Sequence, residues 1–215
     1  MRIGVLGTGM VGQAIGTRLV ELGHDVVMGS RTAGNERAVA WVGRLGERAT
    51  AGTFAEAAGR GELVVNATAG TASLVALESA GDANLTGKVI LDVANAIADL
   101  GPPLRLDPCG DDSLAEQIQR RFPDARVVKA LNTMNCEVMV RPESVPGDHD
   151  VFLAGDDPAA KDVVRGLLEE LGWPIGCVRD LGGIVAARGL EMYVVLWVSL
   201  RMDLGHGAFN VRVVQ

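Results

Sequence analysis

Short apolar runs alternate with amphipathic stretches along the chain, and each run has the length of a buried strand. Such runs occupy residues 3–6, 25–28, 63–66, 89–93 and 126–129, and a short third strand is expected at 49–50. Apolar positions with helical spacing separate them. This alternation predicts an α/β fold, a Rossmann-type doubly wound parallel sheet with right-handed crossovers.

Three glycines with the spacing G-x-G-x-x-G, namely Gly7, Gly9 and Gly12, directly follow the first apolar run and precede a helix. In this strand–turn–helix context, the first glycine permits a tight turn and the second lets the backbone approach a pyrophosphate. The third lets the helix pack closely on the strand. Because the helix N-terminus also offers free N–H groups and a positive dipole end, the segment is predicted to bind a dinucleotide.

The end of the second strand indicates which dinucleotide is bound. NAD-binding domains usually place Asp or Glu there, to accept hydrogen bonds from the ribose 2′-OH. Here the strand runs into Gly29, Ser30 and Arg31, and Asp25 lies at its other end, about 13 Å away at about 3.3 Å per residue. A hydroxyl and a guanidinium fork suit a 2′-phosphate, although a turn serine and a solvated arginine are the alternative. NADP(H) is therefore the predicted cofactor.

Small and polar residues follow the later strands, and ligands of such sheets bind outside the carboxyl ends of the strands. One set follows the fourth and fifth strands and is expected to contact the cofactor: Asn66, Ala67, Thr68, Ala94 and Asn95. A second set follows the strand at 126–129 and is expected to position the nicotinamide or a hydride acceptor: Asn132, Thr133 and Met134. Ordinary turns, or core packing of Met134, are the alternatives.

Composition narrows the classes of partner. The chain has 215 residues, 48% of them hydrophobic, which suits a soluble globular protein with one sizeable core. Its net charge of −7 argues against nucleic acid or an anionic membrane as partner. The three cysteines lie far apart without metal-binding spacing, so no disulfide framework or metal site is expected. Without a signal peptide or a bilayer-length apolar stretch, a cytoplasmic location is expected.

The chain beyond residue 150 is expected to form a smaller αβ extension on a dinucleotide-binding domain of residues 1–150. Residues 98–112, rich in Pro, Gly and Asp, are predicted as a loop. In the extension, residues 151–215, strands are predicted at 151–153, 175–178 and 209–214. The apolar stretch at 189–200 is predicted as a buried helix, either in a dimer interface or beneath the acceptor site.

The order of these motifs resembles that of the NADP-dependent oxidoreductases of the deazaflavin coenzyme F420, over essentially the whole chain. The resemblance rests on IGVLGTG at residues 3–9, GSR at 29–31, VKALNT at 128–133 and GGIVAARGLE at 182–191. It implies hydride transfer between NADP(H) and coenzyme F420 or a related flavin acceptor, in a homodimer. It also implies contacts to the 2′-phosphate from Thr8, Ser30 and Arg31, and to the pyrophosphate from Gly9, Met10 and Val11.

Two departures from the family pattern leave the identity of the acceptor open. Many relatives have a hydrophobic-proline loop where this chain has residues 66–70, and a basic residue that often assists Arg31 is replaced by Asn35, with Arg37 nearby. One alternative is an NADPH-dependent reductase of a small C=N or C=O substrate, similar to the pyrroline carboxylate reductases. Another is a non-catalytic NADP-binding redox sensor.

No acid–base constellation is evident in the sequence, as expected for direct hydride passage between two stacked rings. Lys129 ends an apolar strand, where it either pairs with a carboxylate or backbone carbonyl or contacts a substrate. His206 lies between two glycines and either lines the acceptor pocket or occupies a surface turn.

Overall fold

The computed structural model describes residues 1–215, and one eight-stranded sheet organises them. Its strands are β1 (Arg2–Leu6), β2 (Asp25–Ser30), β3 (Ala49–Thr53), β4 (Leu63–Asn66), β5 (Val89–Asp92), β8 (Arg126–Ala130), β9 (Val151–Ala154) and β10 (Val178–Asp180). Strands β6 (Ile97–Asp99) and β7 (Arg105–Leu106) form a separate hairpin. The order across the sheet is β10-β9-β8-β5-β4-β1-β2-β3. All neighbouring strands are parallel except β8 and β9, which pair antiparallel. The predicted doubly wound parallel sheet is confirmed.

Helices cover both faces of this sheet. They are α1 (Met10–Glu21), α2 (Glu36–Leu45), α3 (Phe54–Arg60), α4 (Gly70–Ala80), α5 (Asp82–Leu85), α6 (Leu114–Arg121), α7 (Cys136–Val140), α8 (Pro158–Glu170) and α9 (Ala187–Leu204). Two separate apolar clusters of 30 and 21 buried residues fill the space between the sheet and its helices, one cluster on each face. The central strands are buried on both faces, which is why they read as continuous apolar runs.

Local signals set most helix starts. The side chains of Asn35, Ser113 and Asp157 accept backbone N–H groups at the starts of α2, α6 and α8. Thr53 and Glu56 form a reciprocal capping box at α3. By contrast, α1 and α4 begin at the carboxyl edge of the sheet without any side-chain cap.

Four predictions of local structure were wrong. The strand expected at 175–178 begins only at Val178, because Ile175–Cys177 form a 3₁₀ turn. Residues 209–214 form no strand. Side chains replace ladder bonds there: the Asn210 amide donates to the Asp150 carbonyl, and the Asp150 carboxylate accepts the Val213 N–H. The predicted loop at 98–112 contains a small antiparallel hairpin of β6 (Ile97–Asp99) and β7 (Arg105–Leu106). The helix predicted as buried is buried along one side only, since Leu196 is 55% and Met202 is 80% exposed.

The domain boundary expected at residue 150 stays a prediction. Strands from both sides of this residue join the same sheet. None of the nine helices has the length and apolar character needed to span a lipid bilayer.

Candidate functional site

A mostly apolar cleft of about 670 Å³ lies at the carboxyl edge of the sheet. One wall comes from the glycine loop and the segments after β4 and β5: Met10, Val11, Ala67, Thr68, Ala94 and Asn95. The opposite wall comes from the segment after β8 and from α9: Met134, Asn135, Cys136, Met139, Trp197 and Arg201. The hairpin residues Ile97 and Leu100 close one end. Seven residues predicted for the site therefore line one cavity.

The glycine loop shows why each glycine is needed. Gly7 has φ +118°, and a side chain there would overlap the Ala67 carbonyl oxygen. A Cβ on Gly12 would overlap the Gly7 carbonyl oxygen, so this glycine permits the close contact of α1 with the loop. A Cβ on Gly9 would meet no atom within 4 Å. The first and third glycines thus serve the fold, while the second leaves space open in front of α1.

The start of α1 is suited to an anion. Gly9 is its N-cap, no side chain caps it, and its first turn contains no acidic residue. The first N–H groups of a helix have no partner within the helix and lie at its positive end. The open space at Gly9 and these N–H groups together fit a dinucleotide pyrophosphate.

The end of β2 supplies an unpaired cation. Arg31 is exposed and makes no ion pair or side-chain hydrogen bond. Ser30 is buried, and its hydroxyl donates to the Thr32 carbonyl at 2.5 Å. Asp25 lies at the opposite end of β2, where it accepts from Arg48 at 3.0 Å. The turn at Ser30 and Arg31 thus carries positive charge and no acidic acceptor for a ribose hydroxyl.

Asn66 lies behind the cleft wall rather than in it. It is fully buried, and its amide group donates to the Asp92 carboxylate at 2.8 Å and to the Ser73 hydroxyl at 3.1 Å. The Thr68 hydroxyl donates to the Asn66 side-chain oxygen at 2.7 Å. Asn66 therefore holds the loop that carries Thr68 into the cleft.

Asn132 and Asn95 join the two walls of the cleft. The Asn132 amide group donates to Asn95 Oδ1 at 2.8 Å, and the Asn95 amide group donates to the Asn132 carbonyl at 2.8 Å. Leu131, directly before, has φ +65°, a left-handed conformation that is costly for a non-glycine residue. The Asn132 Oδ1 and the Thr133 hydroxyl are buried without a partner. Of the three residues predicted after β8, only Met134 lines the cavity itself.

Lys129 is the centre of a buried ionic cluster behind the site. Its ammonium lies 2.9 Å from Asp92 Oδ2 and 2.8 Å from Glu191 Oε1, and it also donates to the Ala94 carbonyl. Burial alone would lower the pKa of Lys129, but the two carboxylates hold that pKa above its ordinary value. Of the two alternatives that the sequence leaves for Lys129, the structure shows the pairing, with two carboxylates and a backbone carbonyl.

Four residues of the site region escaped the sequence interpretation: Asp92, Glu191, Trp197 and Arg201. Asp92 and Glu191 are single carboxylates inside apolar segments, and that signal alone marks them as buried and paired. Trp197 and Arg201 lie on α9, where helical spacing does not indicate which cavity a side chain faces. His206 is exposed and does not line the cleft. No group of three or more His, Cys, Asp or Glu side chains is arranged to hold a metal ion.

Comparison with known proteins identifies the family. Residues 2–96 match the family model described as NADP oxidoreductase, coenzyme F420-dependent. The F420-dependent NADP reductase of Methanothermobacter marburgensis is 32% identical over 94% of this chain and 93% of its own. The chain belongs to the F420-dependent NADP reductase family. This membership confirms the resemblance and the predicted class, an NADP-dependent oxidoreductase.

Two solved structures extend the comparison for this member of the reductase family. A crystal structure of a candidate F420-dependent NADP-reductase from Arthrobacter sp. FB24 is 44% identical and covers both chains completely, with a TM-score of 0.95. An imine reductase from Streptomyces aurantiacus has a TM-score of 0.65 at 23% identity and covers 95% of this chain and 64% of its own. At that identity the second likeness concerns the fold alone.

Proposed function

We propose that this protein transfers a hydride between NADP(H) and the deazaflavin coenzyme F420 in the cleft at the carboxyl edge of the sheet. The observation that carries the proposal is the position of the apolar cleft, directly beside the glycine loop that suits the pyrophosphate. Family membership supports this pair of reactants.

The cofactor end of the site is assigned from charge and open space. The N–H groups of Gly9, Met10 and Val11 at the start of α1 would hold the pyrophosphate. Arg31 would hold the 2′-phosphate together with Thr8 and Ser30, whose hydroxyl would then turn away from the Thr32 carbonyl. The segment of Ala94 and Asn95 would contact the nicotinamide end, because it lines the cleft beyond the loop.

The acceptor end of the site suits a planar ring. Met10, Met134 and Trp197 present polarizable and aromatic surfaces to the cleft. Asp99 and Arg201 are the only charged residues that line it. When bound, the reduced nicotinamide supplies the hydride. The protein's own contribution is to hold two rings against each other and to exclude water.

We also propose that the protein is a homodimer formed through α9 and that it works in the cytoplasm. The outer face of α9 exposes Val195, Leu196 and Met202, which form an apolar strip that a second copy would cover. Light scattering of the purified protein tests the dimer, and Leu196→Glu should convert it to a monomer. A wild-type monomer at micromolar concentration would contradict the dimer.

The reaction is tested by stopped-flow absorbance with NADPH and, in parallel, oxidised F420, FMN or no acceptor. We expect rapid bleaching of the deazaflavin band with NADPH and little with NADH. Oxidation of NADPH by a small imine or carbonyl compound alone would favour the alternative reductase. Tight NADPH binding without oxidation by any acceptor would favour a redox sensor.

A further inference from the structure

The ionic cluster around Lys129 connects three segments that are distant in the chain. Asp92 ends β5, Lys129 lies near the end of β8, and Glu191 lies in the second turn of α9. All three side chains are at most 3% exposed. Burying charges is costly, and a buried ionic cluster rarely adds net stability compared with apolar packing. What the cluster does provide is direct contact between the ends of two strands and the start of α9.

One end of this cluster holds the cleft wall formed by the segments after β4 and β5, here called the cofactor wall; the opposite wall, which includes Trp197, is called the acceptor wall. Lys129 donates to the Ala94 carbonyl, and the Ala94 N–H donates to Asp92 Oδ1 at 3.3 Å. Asp92 also accepts from Asn66, which supports the loop of Thr68. The backbone beside the nicotinamide site is thus fixed by Lys129 and Asp92 together.

The other end holds α9. Glu191 accepts from the N–H groups of Leu114 and Ala115, at 2.9 and 3.1 Å, so it also serves the start of α6. Three residues earlier, Arg188 makes a bidentate pair with Glu116 of α6 at 2.7 and 2.9 Å. The first turns of α9 are therefore locked against α6 and, through Lys129, against the sheet edge.

The position of α9 determines the position of the acceptor wall. Trp197 lies six residues after Glu191, which is about 9 Å along the helix at 1.5 Å per residue. Its ring lines the cleft and stacks on Phe209 at 5.6 Å between ring centroids. A small rotation or shift at Glu191 would move Trp197 relative to Ala94, and with it the two rings that exchange the hydride.

We propose that Lys129, through Glu191, is a positioning residue that sets the separation between the cofactor wall and the acceptor wall of the cleft. This inference rests on the proposed function for its kinetic consequence. It also has a consequence without turnover, because NADP⁺ bound at Ala94 should stabilise α9 through the same ionic link.

Glu191→Gln is the most informative variant, because it removes the negative charge that faces Lys129 and keeps the shape of the side chain. Its amide NH2 cannot accept a hydrogen bond, so one of the bonds from Lys129, Leu114 and Ala115 is lost as well. Lys129→Met removes the link but leaves two buried carboxylates without a cation, and it is the variant at risk of unfolding. Lys88→Met is the matched control. Lys88 precedes β5 at the opposite edge of the sheet, where its ammonium donates to the carbonyls of Ala58 and Gly61 at 2.6 and 2.7 Å.

Hydrogen exchange with NADP⁺ alone gives the first readout. We expect NADP⁺ to slow amide exchange at residues 190–197 of the wild type and of Lys88→Met, but not of Glu191→Gln. Single-turnover hydride transfer to F420 gives the second readout. There Glu191→Gln should be slower by about 10- to 100-fold, with the NADPH Kd within threefold of the wild type.

Specific outcomes would overturn the proposal. One is exchange protection of α9 by NADP⁺ that persists in Glu191→Gln, or that is absent from the wild type. Another is a folded Glu191→Gln whose hydride transfer stays within twofold of the wild type. If the wild type binds NADP⁺ but does not reduce F420, the proposed function fails, and the exchange experiment still decides the positioning role.

Discussion

The carboxyl edge of the sheet has two regions that are built in different ways. Above β1 and β2, the edge is formed mainly by backbone, namely the glycine loop and the uncapped start of α1, with the exposed Arg31 beside them. Above β5 and β8, it is formed by buried side chains from distant parts of the chain, centred on Lys129. The first region suits binding of a constant anionic group, whereas the second fixes the relative placement of two walls.

This difference separates two kinds of failure. Damage to the backbone region should act on cofactor affinity, because its groups are the ones proposed to hold the phosphates. Damage to the side-chain region should act on hydride transfer, because its groups do not face the cofactor but hold the walls that do. Substitutions can therefore test whether affinity and transfer are controlled separately.

The largest effect is expected for Gly12→Ala. The added Cβ would overlap the Gly7 carbonyl oxygen, which is backbone and cannot rotate away. We expect a loss of about 3 kcal/mol in unfolding free energy, a fall in Tm of roughly 6–12 °C, and greatly weakened NADPH binding. Thermal unfolding and NADPH titration measure both. A variant with wild-type Tm and affinity would refute the role of close packing at the glycine loop.

Arg31→Ala should weaken NADPH binding by about 10- to 100-fold, the usual effect of losing charge-assisted hydrogen bonds. Since Arg31 has no partner within the protein, the Tm should stay unchanged. NADH affinity should be unaffected, because NADH lacks the 2′-phosphate. Arg60→Ala, an exposed arginine in the last turn of α3, is the control for general loss of positive charge. An equal loss of NADH and NADPH affinity would contradict the assignment.

Gly9→Ala separates cofactor binding from packing within the glycine loop. Its Cβ would meet no protein atom within 4 Å, and the φ of −78° is acceptable for alanine, so the fold should be intact. NADPH affinity should nevertheless fall by about tenfold, because the methyl group occupies the space of the pyrophosphate. Calorimetric titration together with the Tm measures this. A fall in Tm as large as that of Gly12→Ala would show that Gly9 serves packing instead.

The smallest effect is expected for Asp112→Asn, whose influence on thermal stability should depend on pH. Asp112 lies just before the start of α6, the helix whose first N–H groups Glu191 accepts. The Arg120 guanidinium, 2.8 Å away, lowers the pKa of Asp112 from 3.8 to about 2. Because the folded pKa is lowered, Asp112 stabilises the fold above about pH 4, and this contribution is lost as the pH falls towards 2. The Tm difference between wild type and Asp112→Asn should shrink over that range. A difference independent of pH would exclude this ion pair as its source.

The two regions also differ in how far sequence alone describes them. The strand, glycine loop, helix and second strand lie within about 30 consecutive residues, so local periodicity and glycine spacing suffice to predict the first region. The apolar run at 126–129 also predicts the strand that ends near Lys129. The pairing of Lys129 with Glu191, by contrast, depends on the tertiary packing of α9, which local sequence does not show. Helical spacing likewise marked residues 189–200 as apolar without showing that only one side is buried.

Other errors have the same physical origin. Residues 209–214 have an apolar pattern typical of a strand, yet the Asp150 carboxylate accepts the Val213 N–H at 2.7 Å and no ladder forms. Asn66 follows its strand as a cofactor contact would, yet its amide group is used by Asp92 and Ser73. In both cases a side chain distant in sequence forms a hydrogen bond with the N–H group that the predicted strand or cofactor contact would need.

The central claim is direct hydride transfer between NADP(H) and a deazaflavin held in one cleft. A single turnover with NADPH deuterated at the transferred C4 position, in ordinary water, tests it directly when mass spectrometry follows the label. We predict that the deuterium appears in the reduced deazaflavin and that its transfer is slower than that of hydrogen. Deuterium lost to the solvent, or oxidation of NADPH without label in the deazaflavin, would contradict the account.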